Sequence, residues 1–322
     1  MTFAGSRDRV ESQLVPEAGF ELDTFAISGF PRRLGLGLLR ALWQSVRAPF
    51  ACARILGRRR PDVVLGGGGY VAGPMVLAAR LRGIPAALTE ADAHLGLANR
   101  LAAPFARRVF LAYETDGRAG EKYRVVGRPI PVAHLGSDRF AARERFGLPH
   151  DRAVLAVFGG LAGAQALNLF AVDAFGGTGP AVLHISGARD FEAVRSRVTR
   201  SDYFLLPSTE HFGDALAAAD LAISRAGGTV WELAAAGTPS ILVPYPHATA
   251  DHQTLNARHF ERGGGAIVVD QSELARIPAL VHELLGDPAR LEEMSVAMRS
   301  LARPDAAEVI ADELVALASA RR

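Results

Sequence analysis

Short apolar, β-branched runs alternate with helix-compatible segments along most of this chain. The runs are DVVLG (62–66), AALT (86–89), RVFLA (108–112), VLAVF (154–158), AVLHIS (181–186), DLAIS (220–224), SILVP (240–244) and AIVV (266–269). Longer stretches with helical spacing separate most of them. That is the pattern of βαβ units, which build parallel sheets covered by helices on both faces. The alternation breaks near 129–150, where PIPVAHLGSDRF leads into a charged helix and a new strand, so a domain boundary is placed there. The tail after Pro304 reads as one amphipathic helix.

Residues 26–60 depart from this alternation. They hold eight arginines and no acid, and Arg33, Arg40, Arg47 and Arg54 recur at every seventh position. On a helix that spacing keeps them on one face, drifting by about 20° per repeat. Leu36, Leu38, Leu39, Leu42, Trp43, Val46, Phe50, Ile55 and Leu56 supply a broad apolar remainder. Two readings stand open: a basic, tryptophan-bearing segment lying on an anionic bilayer, or a domain helix whose arginines are merely solvated. Pro49 argues against one unbroken helix. The opening residues have no apolar stretch after a basic start, so they do not read as a signal peptide. The uncharged stretch Ala153–Val172 has the length of a membrane span. With Gly159, Gly160, Gly163, Gln165 and Asn168 inside it, it reads instead as strand, glycine loop and helix.

Composition narrows the class. At 322 residues the chain is about right for two domains. Hydrophobic residues at 49% and charged residues at 22% exclude a disordered or fibrous protein. Cys52 is the sole cysteine, which excludes a disulfide framework and a multi-cysteine metal site and implies a reducing interior. Net charge is +2, from 36 basic and 34 acidic residues, so no nucleic-acid partner is announced. Lys122 is the only lysine, a bias read as one of coding.

Three glycine clusters follow predicted strands: GGGGY (66–70), GG (159–160) within FGGLAGAQALN, and RAGG (225–228) before TVWEL. Such loops let backbone N–H groups approach an anion at the positive end of a helix. None matches the dinucleotide-binding or Walker A pattern, so a nicotinamide or ATP reading has no motif behind it. Three clusters on one α/β chain point to a phosphate-bearing ligand. Segment 224–257 carries the most chemistry. Thr229 and Glu232 have capping-box spacing. The same glutamate suits the vicinal hydroxyls of a ribose, because both carboxylate oxygens accept. Asp251, His252, Gln253 and Asn256 suit hydrogen bonding to a polyol. His247, Asp251 and His252 lack a matching cluster elsewhere, and no Asp-x-Asp pair exists to chelate a metal diphosphate. A metal-independent sugar-nucleotide site, with no cofactor, is expected.

Segment 224–257 closely resembles the donor-binding region of the MurG family, the lipid-linked N-acetylglucosaminyltransferases of peptidoglycan synthesis. PDVVLGGGGYVAGPMVLAARLRGIPAALTEADAHLGLANRLAAPFARRVFLAY (61–113) is similar to the family's second glycine loop and the acceptor-domain segment after it. FGGLAGAQALN (158–168) resembles the loop opening its second domain, and the first residues resemble its second strand and helix. The resemblance implies two Rossmann-like domains facing a cleft, the glycosyltransferase B fold, here assigned to 1–133 with 304–322 and to 134–303. It implies inverting transfer of GlcNAc from UDP-GlcNAc to the MurNAc C4 hydroxyl of lipid I, the undecaprenyl-diphosphate MurNAc-pentapeptide, giving lipid II. The protein would act peripherally at the cytoplasmic face of the cell membrane, in cell-wall biogenesis, cell shape and division, with residues 32–58 on the anionic bilayer. Carried over by position, Gly159, Gly160, Arg225, Gly227, Gly228, Thr229, Glu232, His252, Gln253, Asn256 and Arg128 bind the donor. Gly67, Gly68, Gly69, Tyr70 and Asp92 face the acceptor.

The chain also departs from that family. Members open with a strand and a GGTxGH loop whose histidine is a favoured general base, and this chain starts one strand–loop–helix unit later, leaving the first domain incomplete. Where the family has His-Glu-Gln-Asn, this chain has Thr89, Glu90, Ala91 and Asp92, and Glu90 becomes the expected base. Leu161 replaces a common serine. Gly127, Arg128, Pro129, Ile130 and Pro131 stand where Gly-Asn-Pro-x-Arg is usual, with Arg128 supplying the charge. The alternative is a catalytically inactive lipid- or partner-binding relative. A third reading, a sugar-nucleotide epimerase, shares the architecture but does not account for GGGGY.

Overall fold

A computed structural model describes residues 1–28, 36–132, 138–159 and 164–320, with side chains at 36–40 and 42 left aside. The chain divides into two compact units, Met1–Val126 with Glu308–Arg322, and Gly127–Ala307.

The first unit runs β1 (Phe3–Ser6), α1 (Glu11–Glu17), β2 (Leu22–Phe25), α2 (Leu36–Arg59), β3 (Val64–Gly66), α3 (Gly69–Leu81), β4 (Ala86–Glu90), α4 (Leu97–Ala102), β5 (Arg108–Leu111) and β6 (Tyr123–Val125). β1 and β2 pair in parallel, and β3-β4-β5-β6 form a second parallel sheet in chain order. The core joins Val64, Leu88, Val109 and Leu111 of the sheet to Met75, Val76 and Ala79 of α3 and to Ala48, Cys52, Ile55 and Leu56 of α2. Contrary to the expectation from Pro49, α2 is one helix of 24 residues with the proline inside it. A proline forfeits one backbone bond. Here the buried Ala41, Ala48, Cys52, Ile55 and Leu56 hold the helix against the core on both sides of that position.

The second unit continues with α5 (Arg139–Phe146), β7 (Val154–Phe158), α6 (Gln165–Phe175), β8 (Ala181–Ile185), α7 (Phe191–Arg195), β9 (Tyr203–Leu206), α8 (Phe212–Ala218), β10 (Leu221–Ser224), α9 (Thr229–Ala236), β11 (Ser240–Leu242), α10 (His252–Arg262), β12 (Ala266–Val268), α11 (Ile277–Leu285) and α12 (Pro288–Leu301). Its six strands are all parallel, in the order β12-β11-β10-β7-β8-β9. From β7 the chain winds outward through β8 and β9, then returns to lay β10 on the other side of β7. The β7–β10 seam is therefore the topological switch point, where an open α/β sheet offers a crevice beyond its strand ends. β7 is buried at every residue, as a central parallel strand should be. The last helix, α13 (Ala306–Ser319), belongs from Glu308 onward to the first unit, where Ile310 joins Ala87, Phe110 and Val126.

Ala153–Val172 is β7, the loop after it and part of α6. Among the described residues no helix is long and apolar enough to cross a membrane.

Candidate functional site

In the second unit, register places Phe158 of β7 opposite Ser224 of β10, so Gly159 and Arg225 leave the sheet side by side at the switch point. Gly160 and Leu161 lie outside the described residues. The chain after β10 turns through Gly227 and Gly228 into α9. The Thr229–Glu232 capping box does not form: the N-cap is Gly228, with helical backbone angles and no side-chain cap, and Thr229 is already inside the helix. The first N–H groups of such a helix have no intrahelical acceptor, which gives its start a partial positive charge. The Arg128 guanidinium lies against Gly228, where a Cβ would sit. A cation thus lies on the already positive end of α9. Coulomb repulsion disfavours that pairing until an anion joins it. Glu232, in the first turns of α9, is half-buried.

Other expected donor residues do different work. Arg225 is turned inward: Nη1 donates to the Val243 and Pro244 carbonyls at 3.1 Å each, and Nη2 to Gln271. Its guanidinium lies 5.5 Å from the Tyr245 ring centre, and burial lowers its pKa from the usual arginine value. Asn256 is also buried and donates to the Ala226 carbonyl at 3.1 Å, tying α10 to the glycine turn. Both were expected to touch the donor; here both hold the loops that surround the site. Gln253 stays at the rim. Its Oε1 accepts from the Tyr245 N–H at 2.9 Å, and its Nε2 stands 4.0 Å from where a Gly227 Cβ would be. His252 Nδ1 donates to the Thr249 carbonyl at 2.7 Å, which fixes the proton on that nitrogen because a carbonyl only accepts. The residues before it, Ala250 and Asp251, both sit at φ +53°, a left-handed conformation unusual for non-glycine residues. His247, Asp251 and His252 do not form a cluster: among the described residues no group of three such side chains could hold a metal ion.

Beneath this site lies a network that the sequence did not announce. Asn168 of α6 donates to the Ser186 carbonyl (2.8 Å) and to Asp190 (2.9 Å), and its Oδ1 meets His184 Nε2 at 3.0 Å. His184 Nδ1 lies 2.8 Å from the Tyr203 hydroxyl. Burial lowers the His184 pKa to about 3, so the ring is neutral. An amide oxygen accepts only, so Nε2 carries the proton and the Tyr203 hydroxyl donates to Nδ1. Asp190 is held below the usual carboxylate range by the hydrogen bond from Arg189. A histidine and an asparagine inside otherwise apolar AVLHIS and QALNLF were the signals available.

In the first unit, β3 ends in the four-glycine loop. Gly68 (φ +91°) and Gly69 (φ +67°) adopt left-handed backbone angles that favour glycine, and α3 starts at Gly69 with no side-chain cap. Gly67 faces open space. Tyr70, expected at the acceptor, accepts from Arg9 Nε at 2.9 Å, which brings to the loop a cation that sequence reasoning missed. On the adjacent strand, β4 ends at Glu90, where base chemistry was expected. Its carboxylate instead accepts N–H bonds from Ala91 (3.1 Å), Asp92 (3.4 Å), Gly96 (2.9 Å) and Asn99 (2.9 Å). Asp92 is thus on the turn that Glu90 closes. Asn99, the second residue missed, is buried and also donates to the Thr89 carbonyl at 3.0 Å.

Comparison with known proteins fits this geometry. Residues 2–111 match the Glycosyltransferase family 28 N-terminal domain and residues 154–310 its C-terminal domain. The UDP-N-acetylglucosamine–N-acetylmuramyl-(pentapeptide) pyrophosphoryl-undecaprenol N-acetylglucosamine transferase of Salinibacter ruber is 38% identical, covering 100% of this chain and 90% of that one. Its namesake from Rubrobacter xylanophilus is 39% identical, covering 98% of this chain and 95% of the relative. The crystal structure of Acinetobacter baumannii MurG superposes with a TM-score of 0.78 at 30% identity, covering 97% of this chain and 90% of that one. A UDP-GlcNAc 2-epimerase from Neisseria meningitidis shares the fold at a TM-score of 0.64 with 13% identity, covering 98% of each chain.

Proposed function

The chain belongs to glycosyltransferase family 28 and, within it, to the MurG transferases, and from that premise we propose that it transfers GlcNAc from UDP-GlcNAc to the MurNAc C4 hydroxyl of lipid I, forming lipid II. One observation carries the donor half. At the β7–β10 switch point an uncapped helix start and the Arg128 guanidinium converge on Gly228. In an inverting transfer the hydroxyl oxygen attacks the anomeric carbon as its proton passes to a base. The bond from that carbon to the diphosphate breaks, and its electron pair leaves with UDP. The leaving diphosphate gains negative charge in the transition state, and fixed N–H dipoles with an arginine stabilise that charge without reorganising. Glu232 serves the ribose, and Gln253 with His252 the sugar hydroxyls. On the acceptor side the open start of α3, next to Gly67–Gly69, receives the lipid diphosphate. The reading of an inactive relative has no support among the relatives, which are named as transferases.

The same reading places the protein on an anionic membrane. α2 carries two apolar faces: Ala41, Ala48, Cys52, Ile55 and Leu56 are buried, whereas Trp43, Val46 and Phe50 are 60%, 69% and 71% exposed. Arg47 lies 4.4 Å over the Trp43 ring. Exposed aromatic and aliphatic groups interleaved with arginine suit a headgroup interface. Flotation with anionic vesicles, lost in a Trp43→Ala/Phe50→Ala variant and weak on neutral vesicles, would support it; equal flotation on both would reject it.

The reaction is tested with isotopically labelled UDP-GlcNAc and a lipid I analogue in anionic vesicles. Label should move to the lipid fraction with one UDP released per GlcNAc transferred. Release of free GlcNAc, or no turnover, overturns the proposal.

A further inference from the structure

The bonding of Glu90 commits its carboxylate to the turn that follows it. A carboxylate offers about four lone-pair positions. On Oε1 two are taken by the Ala91 and Asp92 N–H groups, and on Oε2 two by the Gly96 N–H and the Asn99 amide. A general base must present a free lone pair to the proton that it removes. The four donors instead close residues 91–96 into a turn that carries Asp92 and His94, with both of its ends anchored on one side chain.

Asn99 extends the anchor to the glycine loop. It is 3% exposed, and its amide nitrogen donates to Glu90 at 2.9 Å and to the Thr89 carbonyl at 3.0 Å. The flipped amide would set oxygen against two oxygens, so the orientation is fixed by its partners. Its Oδ1 is buried with no partner among the described residues, a cost that a purely structural asparagine would not carry. The same nitrogen, with the Thr89 carbonyl, lies 3.5 Å from the position that a Cβ on Gly68 would take. Thr89, Glu90 and Asn99 therefore form one floor beneath both the 91–96 turn and the loop that opens α3. These two segments leave the carboxyl ends of adjacent strands β3 and β4.

We propose that Glu90 and Asn99 are a positioning pair for the acceptor, holding the 91–96 turn and the Gly68 loop in register, and that the proton is removed by another group. The proposal rests on the transferase reading above, and two kinds of readout separate their failures. The first needs no turnover: hydrogen exchange at the Ala91, Asp92 and Gly96 amides. In Glu90→Gln the amide retains one acceptor and sets an NH2 against two N–H groups. Exchange at those amides should rise at least tenfold in both Glu90→Gln and Asn99→Ala, while the β7–β9 amides stay as in the parent. The second is kinetic. Both variants should raise the acceptor KM about tenfold or more with a smaller change in kcat, and the acid limb of the kcat/KM profile should keep its shape. A base role predicts a fall in kcat of about 10²–10⁴-fold in Glu90→Gln, loss of the acid limb and a near-normal Asn99→Ala. That result, or parental exchange at the three amides in Asn99→Ala, overturns the proposal. Should Glu90→Gln fail to fold, Glu90→Asp, which keeps both oxygens but withdraws them, and Asn99→Ala carry the same readouts. A parent without turnover would sink the transferase reading and leave the exchange test standing.

Discussion

Two segments, one in each unit, rest on opposite kinds of support. In the second unit α6 is held by Asn168, His184 and Tyr203, a dry network with a neutral ring at its centre. In the first unit the Asn99 amide and the Thr89 carbonyl lie under the Gly68 loop, and the half-buried Glu90 carboxylate bonds three turn amides and Asn99. A dry neutral network is costly to breach and gives rigidity; a carboxylate near water can exchange partners. The support of α6 is thus buried and neutral, and that of the 91–96 turn is ionic and partly exposed.

The sharpest way to break this contrast is to cut each support. Asn168→Ala strands the His184 N–H and the Ser186 carbonyl away from water, while Asp190 keeps Arg189, and should cost about 2–4 kcal/mol of unfolding free energy in urea titrations. Equal sensitivity of the two segments would erase the distinction. Acid tests the same network. His184 is neutral when folded, with a pKa of about 3 against an ordinary 6.5, so below pH 6.5 only the unfolded chain takes up its proton. Its contribution is complete above pH 6.5 and is lost as pH falls toward 3, by up to about 1.4 kcal/mol per pH unit. His184→Gln should flatten that part of the stability profile while lowering stability at neutral pH. Glu90→Ala comes next, with a global cost of about 1 kcal/mol or less, because water can reach the freed amides. Ala250→Gly relieves a left-handed alanine and should raise stability by up to about 1 kcal/mol, measurable as a small increase in Tm.

The sequence made the apolar strands that precede the loops and helices of each sheet legible, including the edge strands β3 and β12. The runs at 64–66, 86–90, 108–111, 154–158, 181–185, 221–224, 240–242 and 266–268 are apolar and mostly end at glycine, proline or a small polar residue, the marks of buried parallel strands. β2, β6 and β9 escaped because LDTF, YRV and YFLL keep mostly partly exposed positions and so lack a buried apolar run. The glycine loops were readable because strand–glycine–helix is a local pattern. The direction of a polar side chain is not local. Arg225 and Asn256 read as ligand contacts, yet each is buried against backbone carbonyls. The Arg9–Tyr70 bond joins positions 61 residues apart, and only tertiary structure makes them neighbours.

The claim that most needs testing is that Arg128 and the start of α9 form the diphosphate site. Titration calorimetry of UDP and of UMP into the parent and Arg128→Ala addresses it directly. The parent should bind UDP much more tightly than UMP, and Arg128→Ala should weaken UDP by about 10–100-fold, the scale of one charge-assisted contact, while leaving UMP nearly unchanged. Equal UDP affinity in parent and variant, or a parent that does not distinguish UDP from UMP, would contradict it.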